Sequence, residues 1–448
     1  MRRVLFFLFF ICTGFNAYSQ NNHEPLQLSG AGRTAYSILE RSDWRRYNNG
    51  RYVGLVRNEV RANILPGTWD ANFPGSFFEG NFYLMQSTLR DMQHTVQAVD
   101  RVVPVSFEQD ASGSIYILND RGFPRLRGFP RLPSRSLRPG ERWTSPGSRA
   151  ADPLSTGIPL IIHFVAEYEY IGTEIYSNML VHRLRASYAS RYPPLNPDEM
   201  DESPLDHGIS RVAGGHNVDI LIRVEDGLVV FMRDNLDVTY TLIDGSTIRF
   251  AGFTLTFSQG IIPMDRGQVI TDLGDTLRIE RLPDPLVPLV TRPPEVHELP
   301  PLPLPTETED NAVMPPGIIR DDLEDSGIDI VPVPEGIKLT IRDIRFVPDS
   351  AEFLPEERYR LDLIADALRQ IPDRTFLVDG HTAAVGLPAG EMQLSIERAR
   401  HMVDELVRRG IAADRFIYHG WGGTRPIDDN STAQGRSRNR RVEITVLE

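Results

Sequence analysis

Three short motifs near the C-terminal end of this 448-residue chain decide the fold of its last quarter. In chain order they are Gly380-His381-Thr382-Ala383, Leu394-Ser395-Ile396-Glu397-Arg398-Ala399 and Asn439-Arg440-Arg441-Val442-Glu443-Ile444. They lie within residues 337–448, where apolar residues alternate in some segments and recur every three or four positions in others. The first pattern predicts strands and the second predicts amphipathic helices.

The same region gives a predicted order of elements. Strands are predicted near residues 337–346, 375–379, 415–419 and 441–447, and helices near residues 355–368 and 399–407. Pro355 suits the first turn of a helix, where its missing N–H donor is harmless. The order β-α-β-α-β-β predicts a C-terminal α/β two-layer sandwich with both helices on one face of the sheet.

The three motifs, in this order and spacing, resemble the OmpA-like, peptidoglycan-associating domain of diderm cell envelopes. The resemblance covers residues 337–448, about a quarter of the chain. It implies a pocket that holds the diamino acid of the peptidoglycan stem peptide. In that family an Asp takes the distal ammonium of this zwitterion, and an Arg on the following helix takes its carboxylate, which a guanidinium matches in bidentate geometry.

Carried over by position, Arg398 is the retained cation, and Ala383 stands where the family usually has its Asp. The other pocket positions that the resemblance implies are Gly380, Thr382, Leu394 and Asp349. A second departure is Phe346-Val347, where the family often has Phe-Asp.

Loss of one charge-assisted hydrogen bond costs about 1.5–3 kcal/mol, or roughly ten- to a hundredfold in affinity. Three outcomes stay open at this point. The wall contact has been lost, or the pocket is retuned to a different stem peptide, or another acid, such as Asp379 or Asp349, supplies the charge.

A Pro-rich, acidic segment at residues 282–336 predicts an interdomain linker. Nine prolines fall within residues 283–305, and a chain so poor in backbone donors forms neither a helix nor a sheet. The segment has twelve acidic and two basic residues, a net charge of −10 out of −13 for the whole chain. The sequence offers no basic stripe, so nucleic acid is not an expected partner.

Between the start of the mature chain and the linker, the pattern predicts a mainly β region. Residues 20–115 predict a small β-barrel module, for which an SH3-like barrel is one form, and residues 116–281 predict an antiparallel β domain. Asp226-Gly227 and Asp244-Gly245, each between two alternating segments, predict hairpin turns.

One hexapeptide occurs twice in succession, as Arg121-Gly122-Phe123-Pro124-Arg125-Leu126 and Arg127-Gly128-Phe129-Pro130-Arg131-Leu132. A proline in each unit argues against a central strand. The favoured interpretation is an extended connection whose Phe rings pack on a neighbouring sheet. The alternative is an aromatic and basic contact site for glycan or anionic partners.

Residues 1–19 resemble a secretory signal peptide, with Arg2 and Arg3 before an apolar stretch and small residues ahead of Gln20. We expect secretion across the inner membrane and a periplasmic location, associated with the outer membrane or the wall. Cys12, the only cysteine, lies inside this segment, so no disulfide is expected; lipidation of Cys12 stays open.

No histidine or cysteine spacing predicts a metal site, and no glycine-rich loop predicts a nucleotide, so no cofactor is expected. We therefore expect a non-catalytic structural protein of the cell envelope that binds peptidoglycan or its fragments weakly, together with an unknown envelope protein. The alternative is a periplasmic scaffold whose C-terminal domain mediates protein–protein contacts instead. A hydrolase with a carboxylate pair in the β region is the third reading.

Overall fold

The computed structural model describes residues 34–67, 76–87, 98–110, 112–117, 120–193, 207–262, 264–277, 327–342, 344–347 and 350–448. The predicted signal peptide, Cys12 and the proline cluster of residues 283–305 lie outside these ranges.

Twelve strands form one antiparallel sheet in the N-terminal part. They are β1 (Tyr36–Asn48), β2 (Arg51–Pro66), β3 (Ser76–Ser87), β4 (Arg101–Gln109), β5 (Ile115–Ile117), β6 (Leu126–Arg127), β7 (Arg142–Ala151), β8 (Leu160–Tyr176), β9 (Met179–Tyr192), β10 (Ile209–Arg223), β11 (Val229–Leu242) and β12 (Thr247–Gly260). Their order across the sheet is β5-β4-β3-β2-β1-β12-β11-β10-β9-β8-β7-β6.

The mainly β prediction for this region is confirmed, but its division into two modules does not appear in the hydrogen bonding. Strand β1 pairs with β2 on one side and with β12 on the other, so residues 20–115 and 116–281 share one sheet. Trp44 of β1 and Arg149 of β7 line the same interior cavity although five strands separate β1 from β7 in the sheet. The sheet is therefore curled and nearly closed.

Side chains alternate between the two faces of this sheet, as the period-two pattern requires. Along β8, Ile162, Phe164 and Ala166 are buried, whereas His163 and Val165 between them are exposed. The concave face therefore carries the apolar core.

The duplicated hexapeptide runs inside the curled sheet. Phe123 packs against Phe82, with ring centres 4.8 Å apart, while Phe129 packs against Phe164 and Tyr168. The two copies thus fill two different apolar clusters. The only pairing strand in the repeat, β6, lies at the edge of the sheet, where proline is tolerated.

The C-terminal part is the predicted α/β sandwich. Its elements are α1 (Arg266–Leu277), β13 (Ile328–Val333), β14 (Gly336–Ile341), α2 (Arg358–Arg369), β15 (Phe376–Gly380), α3 (Pro388–Arg408), β16 (Phe416–Gly420), α4 (Ala433–Asn439) and β17 (Val442–Leu447). The strand order is β13-β14-β17-β15-β16, with only β15 and β16 parallel. The predicted order β-α-β-α-β-β is confirmed from β14 to β17, except that the short helix α4 between β16 and β17 was not predicted.

Two elements outside the predicted domain complete its core. Helix α1 precedes the Pro-rich segment and buries Leu273 and Leu277 in the same cluster as helix α2. Strand β13, which pairs with β14, falls inside the predicted linker of residues 282–336. In this strand Ile328 and Ile330 alternate with Asp329 and Val331 and are buried in the domain core, so the paired structure begins before residue 337.

The face of the C-terminal sheet that α2 and α3 leave open packs on the N-terminal sheet. Leu377, Ile417 and Leu447 share an apolar cluster with Tyr83 and Met85 of β3. The backbone N–H of Val99 also donates to the carbonyl oxygen of Tyr418 at 2.6 Å. No helix among the described residues is long and apolar enough to cross a lipid bilayer.

Candidate binding site

Two glycines allow helix α3 to lie directly against the ends of β15 and β16. A β-carbon on Gly380 would lie 2.1 Å from the carbonyl oxygen of Ser395, and one on Gly420 would lie 2.5 Å from Oγ of Ser395. Ser395 is fully buried, and its Oγ donates to the carbonyl of Met392 at 2.7 Å and accepts the N–H of Gly422 at 2.8 Å. The first two motifs therefore meet at one close contact.

The loop after β15 is held by backbone hydrogen bonds. The N–H of His381 donates to the carbonyl of Arg441 at 3.1 Å, and the N–H of Thr382 donates to the carbonyl of Gly422 at 2.9 Å. Beyond Ala383, the N–H of Ala384 donates to Oδ1 of Asn430 at 3.2 Å. This places the altered position in a fixed segment between β15 and α3.

Arg398 lies on α3, one turn after Ser395, and is 8% exposed. Its guanidinium carbon is 4.5 Å from the ring centre of Phe346, within the range of a cation–π contact. Its Nε donates to the carbonyl oxygen of Ser350 at 3.5 Å. Leu394, the implied neighbour on the same helix, is half-buried. The predicted cation is thus positioned where α3 meets the segment between β14 and α2.

Asp379 does not replace the carboxylate that is missing at position 383. Ala383 is buried and carries no charge. Phe376 and Val378 face the helices in the domain core, whereas Leu377 faces the N-terminal sheet. Because strand residues alternate between faces, Asp379 points away from α3, on the same side as Leu377. The other proposed substitute, Asp349, lies outside the described residues.

Asp379 has an unusual environment of its own. Burial raises the pKa of its carboxyl group to about 7, although the hydrogen bond from Nε1 of Trp421, at 2.9 Å, opposes the shift. The nearby charge of Glu443 raises the pKa further. This carboxyl group is therefore half-protonated near neutral pH.

His381 is neutral and structural. Burial, with the charge of Arg441, lowers the pKa of its imidazole to about 3. Neither ring nitrogen has a hydrogen-bond partner among the described residues, and the nearest carboxylate oxygen, of Glu443, is 3.7 Å from Nε2.

The third motif holds the domain together. Nε of Arg441 donates to Glu443 at 2.7 Å, and Nζ of Lys338 lies 2.8 Å from the same carboxylate. Asn439 is fully buried, and its Oδ1 accepts the N–H groups of Ile427 and Asp428.

One carboxylate beside the altered loop was missed in the sequence. Oε1 of Glu391, in the first turn of α3, accepts the N–H groups of Val385 at 2.7 Å and Gly386 at 2.6 Å. A β-carbon on Gly423 would lie 2.8 Å from Cα of Ala384 and 2.9 Å from Oε2 of Glu391. The carboxylate of Glu391 therefore lies beside the loop at Val385, two residues after Ala383. Only the three-dimensional path of the loop shows this, since no spacing rule links these positions.

Among the residues that the structure describes, no group of His, Cys, Asp or Glu side chains could hold a metal ion. The acids that line the interior cavity of the N-terminal sheet are Glu59, Asp100 and Asp152. Glu59 forms an ion pair with Arg41 at 2.9 Å, Asp100 accepts a backbone N–H, and Asp152 accepts the N–H of Gly157 at 2.8 Å. Each of these carboxylates therefore accepts hydrogen bonds from groups of the protein itself.

Residues 345–440 match the model of the OmpA family, so the C-terminal part contains an OmpA-family domain. The peptidoglycan-binding protein ArfA of Mycobacterium tuberculosis is 39% identical over 103 residues, 23% of this chain and 32% of its own length. Outer membrane protein A of Bordetella avium is 38% identical over 117 residues, 26% of this chain and 60% of its own length. The chain thus spans less than two thirds of either relative.

Among solved structures, the cell wall anchor of the T6SS from Pseudomonas aeruginosa is 35% identical to this chain. The match covers 28% of this chain and 92% of that one, with a TM-score of 0.25.

Proposed function

We propose that the chain is a non-catalytic structural protein of the cell envelope, secreted to the periplasm, whose OmpA-family domain contacts peptidoglycan weakly. The similar proteins include a peptidoglycan-binding protein and an outer membrane protein, which supports an envelope role. The N-terminal sheet would then face an envelope protein partner.

The observation that carries this proposal is the placement of Arg398. Its guanidinium is fixed over Phe346, on the helix that packs against the Gly380 loop, where the family's carboxylate-binding cation is expected. A guanidinium held in place by packing loses little freedom when it binds a carboxylate, which favours recognition of the stem peptide.

The weakness of the contact follows from Ala383. A ligand ammonium near this position would meet a methyl group instead of a carboxylate, at a cost of about 1.5–3 kcal/mol. Glu391 accepts the N–H of Val385, two residues further along the loop, and its charge would offset part of this loss by longer-range attraction. Its Oε1 already accepts two backbone N–H groups, which makes it a weaker acceptor for a ligand than a free Asp.

Co-sedimentation of the full-length mature chain with purified sacculi tests the proposal. The wild type should sediment in a saturable way, and Arg398→Ala should weaken this at least tenfold. Arg408→Ala is the matched control, because this arginine lies on the same helix with 60% of its side chain exposed. Equal sedimentation of wild type and Arg398→Ala would refute the role of this cation.

The second candidate is a scaffold whose domain has lost wall binding and serves protein contacts. It is favoured by the face of the C-terminal sheet opposite α2 and α3, which makes an apolar contact with β3 of the same chain through Leu377 and Ile417. If the wild type and all variants stay in the supernatant, this candidate replaces the first.

A further inference from the structure

The curled N-terminal sheet encloses a cavity of about 320 Å³, within the size range of about 300–1,000 Å³ typical of small-molecule sites. Its apolar wall consists of aromatic and aliphatic side chains from four strands and the duplicated hexapeptide: Trp44, Val56, Phe123, Leu236, Val238, Tyr240 and Phe250. The space lies toward the end of the sheet where Asp152, Pro153 and Ser155 follow β7.

A buried polar network forms another part of the wall. Arg149 donates to Asp234 at 2.8 Å and to the hydroxyl of Tyr188 at 2.7 Å, and Nδ1 of His216 lies 2.9 Å from both oxygens of Asp234. Burial lowers the pKa of His216, so its neutral ring donates from Nδ1 to Asp234 and accepts from Ser190 at Nε2. The Arg149–Asp234 pair therefore adds no net charge.

Four further arginines line the cavity, and two of them are neutralised by ion pairs. Arg101 lies 3.7 Å from Asp152, and Arg125 lies 2.7 Å from Glu40 of β1. Neither Arg46 nor Arg121 pairs with a carboxylate in the part of the chain that the structure describes; Nε of Arg46 donates only to the amide oxygen of its neighbour in β1 at 3.1 Å.

These two cations come from different parts of the sequence. Arg46 is on the inward-facing side of β1, with its guanidinium 5.9 Å from the ring centre of Phe250. Arg121 opens the first hexapeptide, and Phe123 of the same copy supplies an apolar wall. The second copy fills the core around Phe129 instead, so the two copies have different roles.

We propose that this cavity binds a small amphipathic anion, with its apolar body against Trp44 and Phe250 and its carboxylate or phosphate head between Arg46 and Arg121. An apolar cavity that is lined by a small number of polar groups is the usual form of a ligand site, and here Arg46 is half-buried and Arg121 is exposed to solvent. Two guanidinium groups without an acid favour a negative head group, which they bind by charge-assisted hydrogen bonds. The proposal is independent of wall binding by the C-terminal domain.

Fluorescence titration of the full-length mature chain tests it with two probes. The anionic probe is 1-anilinonaphthalene-8-sulfonate, and the neutral probe is N-phenyl-1-naphthylamine. The wild type should bind the anionic probe saturably with one site per chain. Arg46→Gln with Arg121→Gln should weaken it at least tenfold and leave the neutral probe within twofold. Displacement by decanoate or by decyl phosphate then tells a carboxylate ligand from a phosphate ligand.

Matched variants locate the site. Arg45→Gln with Arg211→Gln removes two exposed arginines and should change neither probe. Val56→Trp should fill the cavity and weaken both probes, whereas Val165→Trp, at an outward position that is 63% exposed, should weaken neither.

Absence of saturable binding, or wild-type affinity of the anionic probe in the double Gln variant, would overturn the proposal. So would equal weakening of both probes in that variant, or wild-type binding by Val56→Trp. Circular dichroism of each variant checks that the fold is retained.

Discussion

Asp379 should make the stability of the C-terminal domain depend on pH. Its carboxyl group has a pKa of about 7 in the folded chain, against 3.8 in the unfolded chain. Between these values the folded state keeps a proton that the unfolded state has released, so the free energy of unfolding falls as pH rises. A pKa difference of about three units corresponds to about 4 kcal/mol in the free energy of unfolding. This stabilisation is present in full below pH 4 and is lost above pH 7.

Asp379→Asn removes this ionisation while keeping an oxygen that can accept the N–H of Trp421. At pH 4 the variant and the wild type should have similar free energies of unfolding. At pH 8 the variant should be more stable, by up to about 4 kcal/mol, because no charge is buried.

Urea denaturation at pH values from 4 to 8, followed by circular dichroism at 222 nm, measures this difference. The four described helices all belong to the C-terminal part, so the helical signal reports that part. Asp404→Asn, at an exposed position on α3, is the control. A difference between wild type and Asp379→Asn that stays constant from pH 4 to pH 8 would refute the reasoning.

Three further changes probe the packing and the loop. Asp234→Ala should lower the free energy of unfolding by about 3–5 kcal/mol, because it leaves the buried Arg149 without its carboxylate partner. Urea and thermal unfolding measure this, and a loss below about 1 kcal/mol would contradict a stabilising role for Asp234. Gly380→Ala should lower the free energy of unfolding by roughly 1–3 kcal/mol, since its β-carbon would clash with the carbonyl oxygen of Ser395. An unchanged unfolding midpoint would contradict a fixed contact between α3 and β15. Glu391→Gln keeps the acceptor for the loop N–H groups but removes a charge at the start of α3, so it should lower stability by about 1 kcal/mol while the chain stays folded. It should also weaken sedimentation with sacculi, and unchanged sedimentation would exclude Glu391 from the site.

The sequence was most informative where short-range geometry decides the structure. Gly380 and Ser395 could be placed in the domain because their spacing belongs to a motif that reflects a close backbone contact. The order of the strands and of helices α2 and α3 from β14 to β17 followed from the periods of the apolar residues, whereas the short polar helix α4 has no such period. These features depend on residues that are close in sequence or part of one pattern.

Long-range pairing could not be read in the same way. Strand β1 pairs with β12, about 200 residues later, and an alternating pattern does not name its partner. The division into two β modules therefore assigned to separate domains strands that share one sheet. For the same reason, α1 could not be assigned to a core on the far side of the Pro-rich segment.

The direction of single side chains also required the structure. Asp379 was a candidate acid because it is close to Ala383 in sequence, yet strand alternation turns it to the opposite face. Glu391, eight positions after Ala383, returns to the loop because α3 begins in between.

The most direct test of the central claim is the affinity of the full-length mature Ala383→Asp variant for purified sacculi, relative to the wild type. A pocket that keeps Arg398 but lacks its acid should gain roughly ten- to a hundredfold when the carboxylate is restored. The gain should disappear when Arg398→Ala is added. An Ala383→Asp variant that folds normally yet sediments no better than the wild type would contradict the account.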